Sequence, residues 1–196
     1  HIDPVKDPVR VEPGIHYVMG GIDVDEHHRT NIAGLYAAGE CACQYHGANR
    51  LGGNSMLGAI YGGRVAAEDI LVESGKETGK DAESVESIPP LENADADRQA
   101  RALRDVLRDA MGIERSSDGL KQGITALDQM PGQDSSAQER MRILLGKAML
   151  MSALYREESR GAHARTDFPD KDDEHFHGTT LACYENGVIR ISIRPL

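Results

Sequence analysis

A chain of 196 residues has room for one large domain or two small ones, and its formal net charge of −10 argues against a nucleic-acid surface. Hydrophobic residues make up 39% and aromatics 4%, with no Trp, so a core must be packed from small and aliphatic side chains. Cys41, Cys43 and Cys183 are too few and odd in number for a disulfide framework and point to a reducing compartment, while no stretch approaches the roughly 20 apolar residues of a membrane span.

The chain opens at His1 without a signal peptide or a recognisable domain start, and is expected to be a piece of a longer protein. Residues 1–73 are rich in Gly and apolar residues. Ile15-His16-Tyr17-Val18-Met19 reads as a strand that stops at Gly20-Gly21, and Leu35-Tyr36-Ala37-Ala38 as a second that ends at Gly39-Glu40. Asn54-Ser55 offers an N-cap to a helix running to about Leu71. Ala59, Gly62, Gly63, Ala66 and Ala67 would let that helix lie close against a sheet or another backbone.

Residues 74–95 are polar, contain Pro89-Pro90 and read as a linker. Residues 96–156 carry three amphipathic patterns. The first places Leu103, Val106, Leu107 and Ala110 on one face and stops at Gly112. The second starts near Ser116–Asp118, uses Leu120, Ile124 and Leu127, and stops at Pro131-Gly132. The third opens with the capping box Ser136-x-x-Glu139 and has the stripe Met141, Leu144, Leu145, Ala148. Short loops between them imply a three-helix bundle with Leu103, Leu107, Ile124, Leu127, Leu144 and Leu145 buried together. Residues 157–196 divide into a charged, irregular stretch and a hairpin or edge strand around Asn186-Gly187.

Chemistry concentrates in residues 16–56. Arg50 stands before the Gly-rich helix entrance Leu51-Gly52-Gly53-Asn54-Ser55-Met56. A helix N-terminus presents free N–H groups, glycines let a ligand approach the backbone, and an Arg fork clamps a carboxylate or phosphate. The alternative is an Arg paired with a surface acid before an ordinary turn. His16 on a strand ending in two glycines can face a cleft, or be a satisfied core His. Glu40 at a strand end can accept hydrogen bonds from a ribose diol, or be a plain loop Glu. Cys41-x-Cys43 with His46 is tighter than ordinary zinc spacing, so buried free thiols are the reading taken. His27-His28 reads as part of a polar connection, and His175-x-His177 as a solvated loop; no metal site is assigned.

In order and spacing, three runs resemble the flavoprotein subunit of succinate dehydrogenase and fumarate reductase. They are His16-Tyr17-x-Met19-Gly20-Gly21, Gly34-Leu35-Tyr36-Ala37-Ala38-Gly39-Glu40 and His46-Gly47-Ala48-Asn49-Arg50-Leu51-Gly52-Gly53-Asn54-Ser55. Glu158-Ser159-Arg160-Gly161-Ala162-His163-x-Arg165 and the terminal Arg194-Pro195 resemble it too. The resemblance implies an α/β plus all-α fold: the C-terminal piece of a Rossmann-like FAD-binding domain, a three-helix bundle and a short C-terminal β element. It implies FAD as cofactor and a C4 dicarboxylate as substrate, held by His16, Arg50 and Gly53. Glu40 would bind the FAD ribose, and the backbone of Ser55 and Met56 would meet the flavin ring. Arg160 and His163 would be structural.

Electrons would pass to an iron–sulfur subunit, with membrane anchor subunits in the full complex. The chain would lie on the cytoplasmic side, peripheral to the inner face of the membrane. Two departures stand out: the segment between Glu40 and Arg50 is a residue shorter than in relatives, and Met56 replaces a more usual Leu. The Gly-rich FAD fingerprint, the covalent-flavin His and the capping-domain Arg of the family have no counterpart here, so these residues alone are expected neither to hold FAD tightly nor to turn over succinate. L-aspartate oxidase is the enzymatic rival, with Ala-Ser in place of Gly52-Gly53. A soluble, haem-linked fumarate reductase and a non-enzymatic helical interaction fragment are the others.

Overall fold

The computed structural model describes residues 3–11, 14–43, 45–74, 94–130 and 136–196, with backbone alone for 94–97. The expected linker over 74–95, but for its ends, and the Pro131-Gly132 stop lie outside them. The chain divides into two compact units, His1–Thr78 and Gly79–Leu196.

The first unit pairs β1 (Ile22–Asp23) in parallel with β2 (Ala42–Cys43) and continues into α1 (Asn54–Ser74). The strands expected at 15–19 and 35–38 are not formed. Residues 15–19 pair with no strand among the described residues, and the Val18 N–H donates to the Glu40 carboxylate at 2.9 Å. Tyr36 makes a single antiparallel bridge to Arg29. Pairing moves a few residues downstream, where the Ile22 N–H meets the Cys41 carbonyl at 2.7 Å.

Helix α1 begins where the sequence predicts it and buries Gly58, Gly62 and Ala66, one residue per turn along one face. The segment 28–37 folds back on itself, His28 and Ala37 exchanging backbone and side-chain hydrogen bonds. It is tied to α1 through Arg29, whose Nε and Nη2 reach the two Asp69 oxygens at 2.6 Å each, while the Tyr36 hydroxyl donates to Asp69 at 2.7 Å. The Arg29 fork and the Tyr36 hydroxyl hold the Asp69 carboxyl down at about 2.

The second unit contains α2 (Ala94–Ala110), β3 (Glu114–Arg115), α3 (Ser117–Asp128), α4 (Ala137–Tyr155), β4 (Ala164–Arg165), α5 (Asp173–Phe176), β5 (Gly178–Glu185) and β6 (Val188–Pro195). The three long helices pack around Ala110, Leu120, Leu127, Leu150 and Ala153, with Leu103, Leu107, Ile124 and Ile143 against them. Their close approach depends on two glycines. A Cβ at Gly123 would lie 2.7 Å from the Ala110 Cβ, and one at Gly146 3.2 Å from a Leu127 methyl. The capping box at Ser136 and Glu139 forms in full.

One expectation for α4 fails. Leu145 and Met141 are exposed and Leu144 is half-buried; the core face is Ile143, Gly146, Leu150 and Ala153. The helix is apolar on two sides, so a stripe read from spacing is ambiguous. The 141/144/145/148 side lines a groove of about 220 Å³ with Ala182, Cys183, Tyr184 and Ile189 of the β5–β6 hairpin. That hairpin runs from Gly178 to Pro195, longer than expected, in antiparallel register closing at Glu185↔Val188. Asn186 and Gly187, at φ of 52° and 83°, supply the two left-handed residues of its turn.

The charged stretch before the hairpin is a packed polar knot. Arg165, 2% exposed, donates to the Ala153 and Arg156 carbonyls at the end of α4, at 2.9 and 3.1 Å, to the Ser117 hydroxyl at 2.8 Å, and through a fork to Asp167. Asp167 in turn accepts from the Ser117 N–H at 2.8 Å. The fully buried Glu158 is held by Arg156, by Arg160 at 2.7 and 2.8 Å, and by the Asp172 N–H at 2.9 Å. Burial would raise its pKa, but these donors win and lower it.

His163 sits between the Arg115 guanidinium at 2.8 Å and the Arg156 carbonyl at 3.2 Å. Burial first, then three nearby arginines, push its pKa below the usual value of 6.5. The unfolded state therefore takes up a proton there before the folded state does. His163 contributes stability that is complete above about pH 6.5 and lost as pH falls below it. His175, raised by its bond to Asp172, works in the opposite sense. The melting temperature of the second unit should thus drop less between pH 7.5 and 5.5 in His163→Gln than in the parent. Parallel curves would remove His163 from this balance.

Candidate functional site

The site is built from the first unit. Helix α1 opens at Asn54 after Gly53, which has φ of +83°, a conformation that favours glycine. The amides of its first turn have no intrahelical partner, and no acidic residue in that turn offsets their partial positive charge. Ser55 is half-buried, while Met56, Leu51 and Leu57 are exposed apolar side chains around the opening.

Arg50 lies beside this entrance. Its guanidinium sits 4.7 Å over the Tyr17 ring, its Nη1 donates to the Leu51 carbonyl at 3.0 Å, and its Nε is buried with no hydrogen-bond partner among the described residues. A buried guanidinium N–H left unsatisfied is costly, and a ligand oxygen would relieve it. No surface acid pairs with Arg50 among the described residues, which argues against the ordinary-turn reading. Tyr17 also meets the His46 ring edge-on at 5.4 Å. Thus the segment carrying His16 and the turn carrying Arg50 are brought together.

His16 is exposed, which excludes the satisfied-core alternative for it. Glu40, also exposed, accepts from the Val18 N–H at 2.9 Å through one oxygen. It is thereby linked to the His16–Val18 segment, with its second oxygen not engaged by that bond. Gly53 lies next to Arg50 in the turn. The six predicted residues therefore fall on three strips of one unit: 16–18, 40, and 50–56. A group that carries or gains negative charge and is partly apolar, such as FAD, suits a helix N-terminus of this kind, with the exposed Leu51, Met56 and Leu57 near it.

The cysteine reading needs correction. Cys41 and Cys183 are exposed and Cys43 is half-buried, so these are free thiols but not buried ones. Among the described residues no group of three or more His, Cys, Asp or Glu could hold a metal ion. His28, read as part of a polar connection, is fully buried and bonded to the Ala37 carbonyl at 2.7 Å and to the Tyr45 hydroxyl. The signal for it lay in α1: a Cβ at Gly62 would lie 2.6 Å from the His28 ring. The small residues of that helix accept an imidazole rather than a sheet.

Residues 1–56 match the family model of an FAD binding domain, and residues 135–196 that of the fumarate reductase flavoprotein C-terminal region. The L-aspartate oxidase of Pyrococcus horikoshii is 40% identical over 179 residues, 91% of this chain and 36% of its own length. The fumarate reductase flavoprotein subunit of Haemophilus influenzae is 32% identical over 226 residues, 100% of this chain and 38% of its own. Among solved structures, Escherichia coli quinol fumarate reductase FrdA matches with a TM-score of 0.75 at 29% identity, covering 100% of this chain and 39% of that one. The chain therefore spans well under half the length of each of these two curated relatives. Mixed α/β content and the two matched regions define an FAD-binding flavoprotein fold. The chain belongs to the flavoprotein family of succinate dehydrogenase and fumarate reductase, whose cofactor is FAD.

Proposed function

We propose that this chain forms part of an FAD-dependent oxidoreductase that interconverts succinate and fumarate. Residues 1–73 would be the C-terminal part of its FAD-binding domain, 74–95 a linker, 96–156 a three-helix bundle and 157–196 a C-terminal β segment. The observation that carries this reading is Arg50: a stacked guanidinium with an unpartnered Nε beside a helix N-terminus.

Bound FAD supplies the two-electron acceptor or donor. The protein's share is to bind and orient a dianion. Arg50 grips one carboxylate through its fork, the Gly53 backbone and the α1 amides offer further N–H donors, and His16 holds the other carboxylate. Ser55 and Met56 would present their backbone to the flavin ring, and Glu40 would accept from the ribose diol. Electrons would leave to an iron–sulfur subunit, with membrane anchor subunits holding the complex on the inner face of the membrane. No helix among the described residues is long and apolar enough to cross a membrane.

A second reading, an L-aspartate oxidase, is favoured by the 40% identity to the Pyrococcus horikoshii enzyme. Against it stands Gly52-Gly53, where the oxidase pattern has Ala-Ser. The test is to mix the full-length holoprotein anaerobically with succinate or with L-aspartate and follow the flavin band. Bleaching by succinate, with reoxidation by fumarate, is expected. Bleaching by L-aspartate alone would replace this reading with the second.

A further inference from the structure

Buried His28 is joined to Arg50 by an unbroken run of ring contacts. The Ala37 carbonyl can only accept, so the His28 Nδ1 carries the proton that it meets at 2.7 Å. A singly protonated ring then leaves Nε2 to accept from the Tyr45 hydroxyl. Tyr45 is thereby fixed at its far end. Its ring is 6.3 Å from His46, and both lie against Gly58, where a Cβ would approach them at 3.3–3.4 Å. His46 meets Tyr17 edge-on at 5.4 Å, and Tyr17 carries the Arg50 guanidinium at 4.7 Å.

His28 also holds φ of 65°, where glycine would be less strained. Its ring occupies the hollow at Gly62, which no side chain could share. The strained position is occupied by a fully buried imidazole bonded to the Ala37 carbonyl and the Tyr45 hydroxyl. A plain turn would place glycine at 28 and leave the Tyr45 hydroxyl without this partner, the ring then held only by His46 and Tyr61, which it meets at 6.3 and 5.9 Å.

We propose that His28, through Tyr45, His46 and Tyr17, is a positioning residue for the Arg50 guanidinium. This rests on the reading of Arg50 as the carboxylate clamp. His28 holds the tyrosine hydroxyl, the rings hold one another on the glycine face of α1, and the last ring sets where the fork points. Loss of the first contact should let the fork wander without removing it.

Two variants of the full-length holoprotein test this. His28→Gly removes the imidazole at a position whose backbone glycine prefers, and Tyr45→Phe keeps the ring but deletes its hydroxyl. In both, KM for fumarate should rise about tenfold from misplacement of the clamp, with kcat within about threefold and FAD content unchanged. The double variant should be no worse than His28→Gly, since both break one chain. A second readout needs no turnover. In protein labelled with nitrogen-15 arginine, the Arg50 Nε–H signal, identified by its loss in Arg50→Lys, should shift in both variants as Tyr17 moves away. An unmoved signal in both overturns the proposal, as does an unchanged KM with both variants loaded with FAD. If the parent ignores succinate and fumarate, the functional reading fails, and the arginine signal still decides on His28.

Discussion

In the full-length protein, Arg50→Lys is expected to lower kcat/KM for succinate or fumarate by at least ~100-fold while FAD stays bound. Lysine keeps the charge, so long-range attraction of a dianion persists. What it loses is the planar fork, the stacking on Tyr17 at 4.7 Å, and the Nε–H that stands buried and unpartnered. A carboxylate held by one flexible ammonium can pivot, and the reacting carbons then miss alignment with the flavin. FAD retention should be unaffected, because Arg50 is assigned no contact with it. Steady-state kinetics beside the visible flavin spectrum separate the two effects. Near-normal turnover in the Lys variant would end the clamp assignment.

The second large effect is on stability. Leu150→Asp should unfold the second unit, because it places a carboxylate among Ala110, Leu120, Leu127 and Ala153. Truncating a buried Leu costs roughly 2–5 kcal/mol, and an unpaired buried charge adds to that, which together rival the ~5–15 kcal/mol that holds a domain. Leu145→Asp, five residues earlier on the same helix, should cost about 1 kcal/mol or less, because Leu145 is 63% exposed. Urea unfolding followed by circular dichroism measures both. Equal losses would mean that both sides of α4 are core.

That contrast marks where the sequence was readable. The starts of α3 and α4 are carried by local signals, Ser116 and the Ser136/Glu139 box, whose effect depends on a few neighbouring residues. The Asn186-Gly187 turn is similarly local. Which side of α4 faces the helices is not local. It depends on Gly123 and Gly146 letting three helices meet, and on the hairpin lying along part of the other side, both decided by residues far away in the chain. The short strands failed for the same reason: a strand exists only where a partner edge does. In the candidate site, the Gly-rich turn and Arg50 stand out in the sequence because their residue types carry chemistry. His28 was not, since its meaning comes from a hollow made by Gly62 in a later helix and a hydroxyl on Tyr45.

The knot around Arg165 bears on the order in which the second unit can assemble. Helices α3 and α4 are neighbours in the chain, and their mutual contacts are available as soon as both exist. Their outer ends are another matter: the first turn of α3 at Ser117 and the last carbonyls of α4 wait for Arg165 and Asp167, 48 and 50 positions beyond Ser117. The parallel pair β3–β4 closes the same long loop, whose entropy must be met before its few contacts repay it. In a chain made from the N-terminus onward, the helices can therefore gather early with frayed ends. The unit can close as a single cooperative body only when the residues around 158–172 have left the ribosome, so a segment made after the three helices acts as the latch on them.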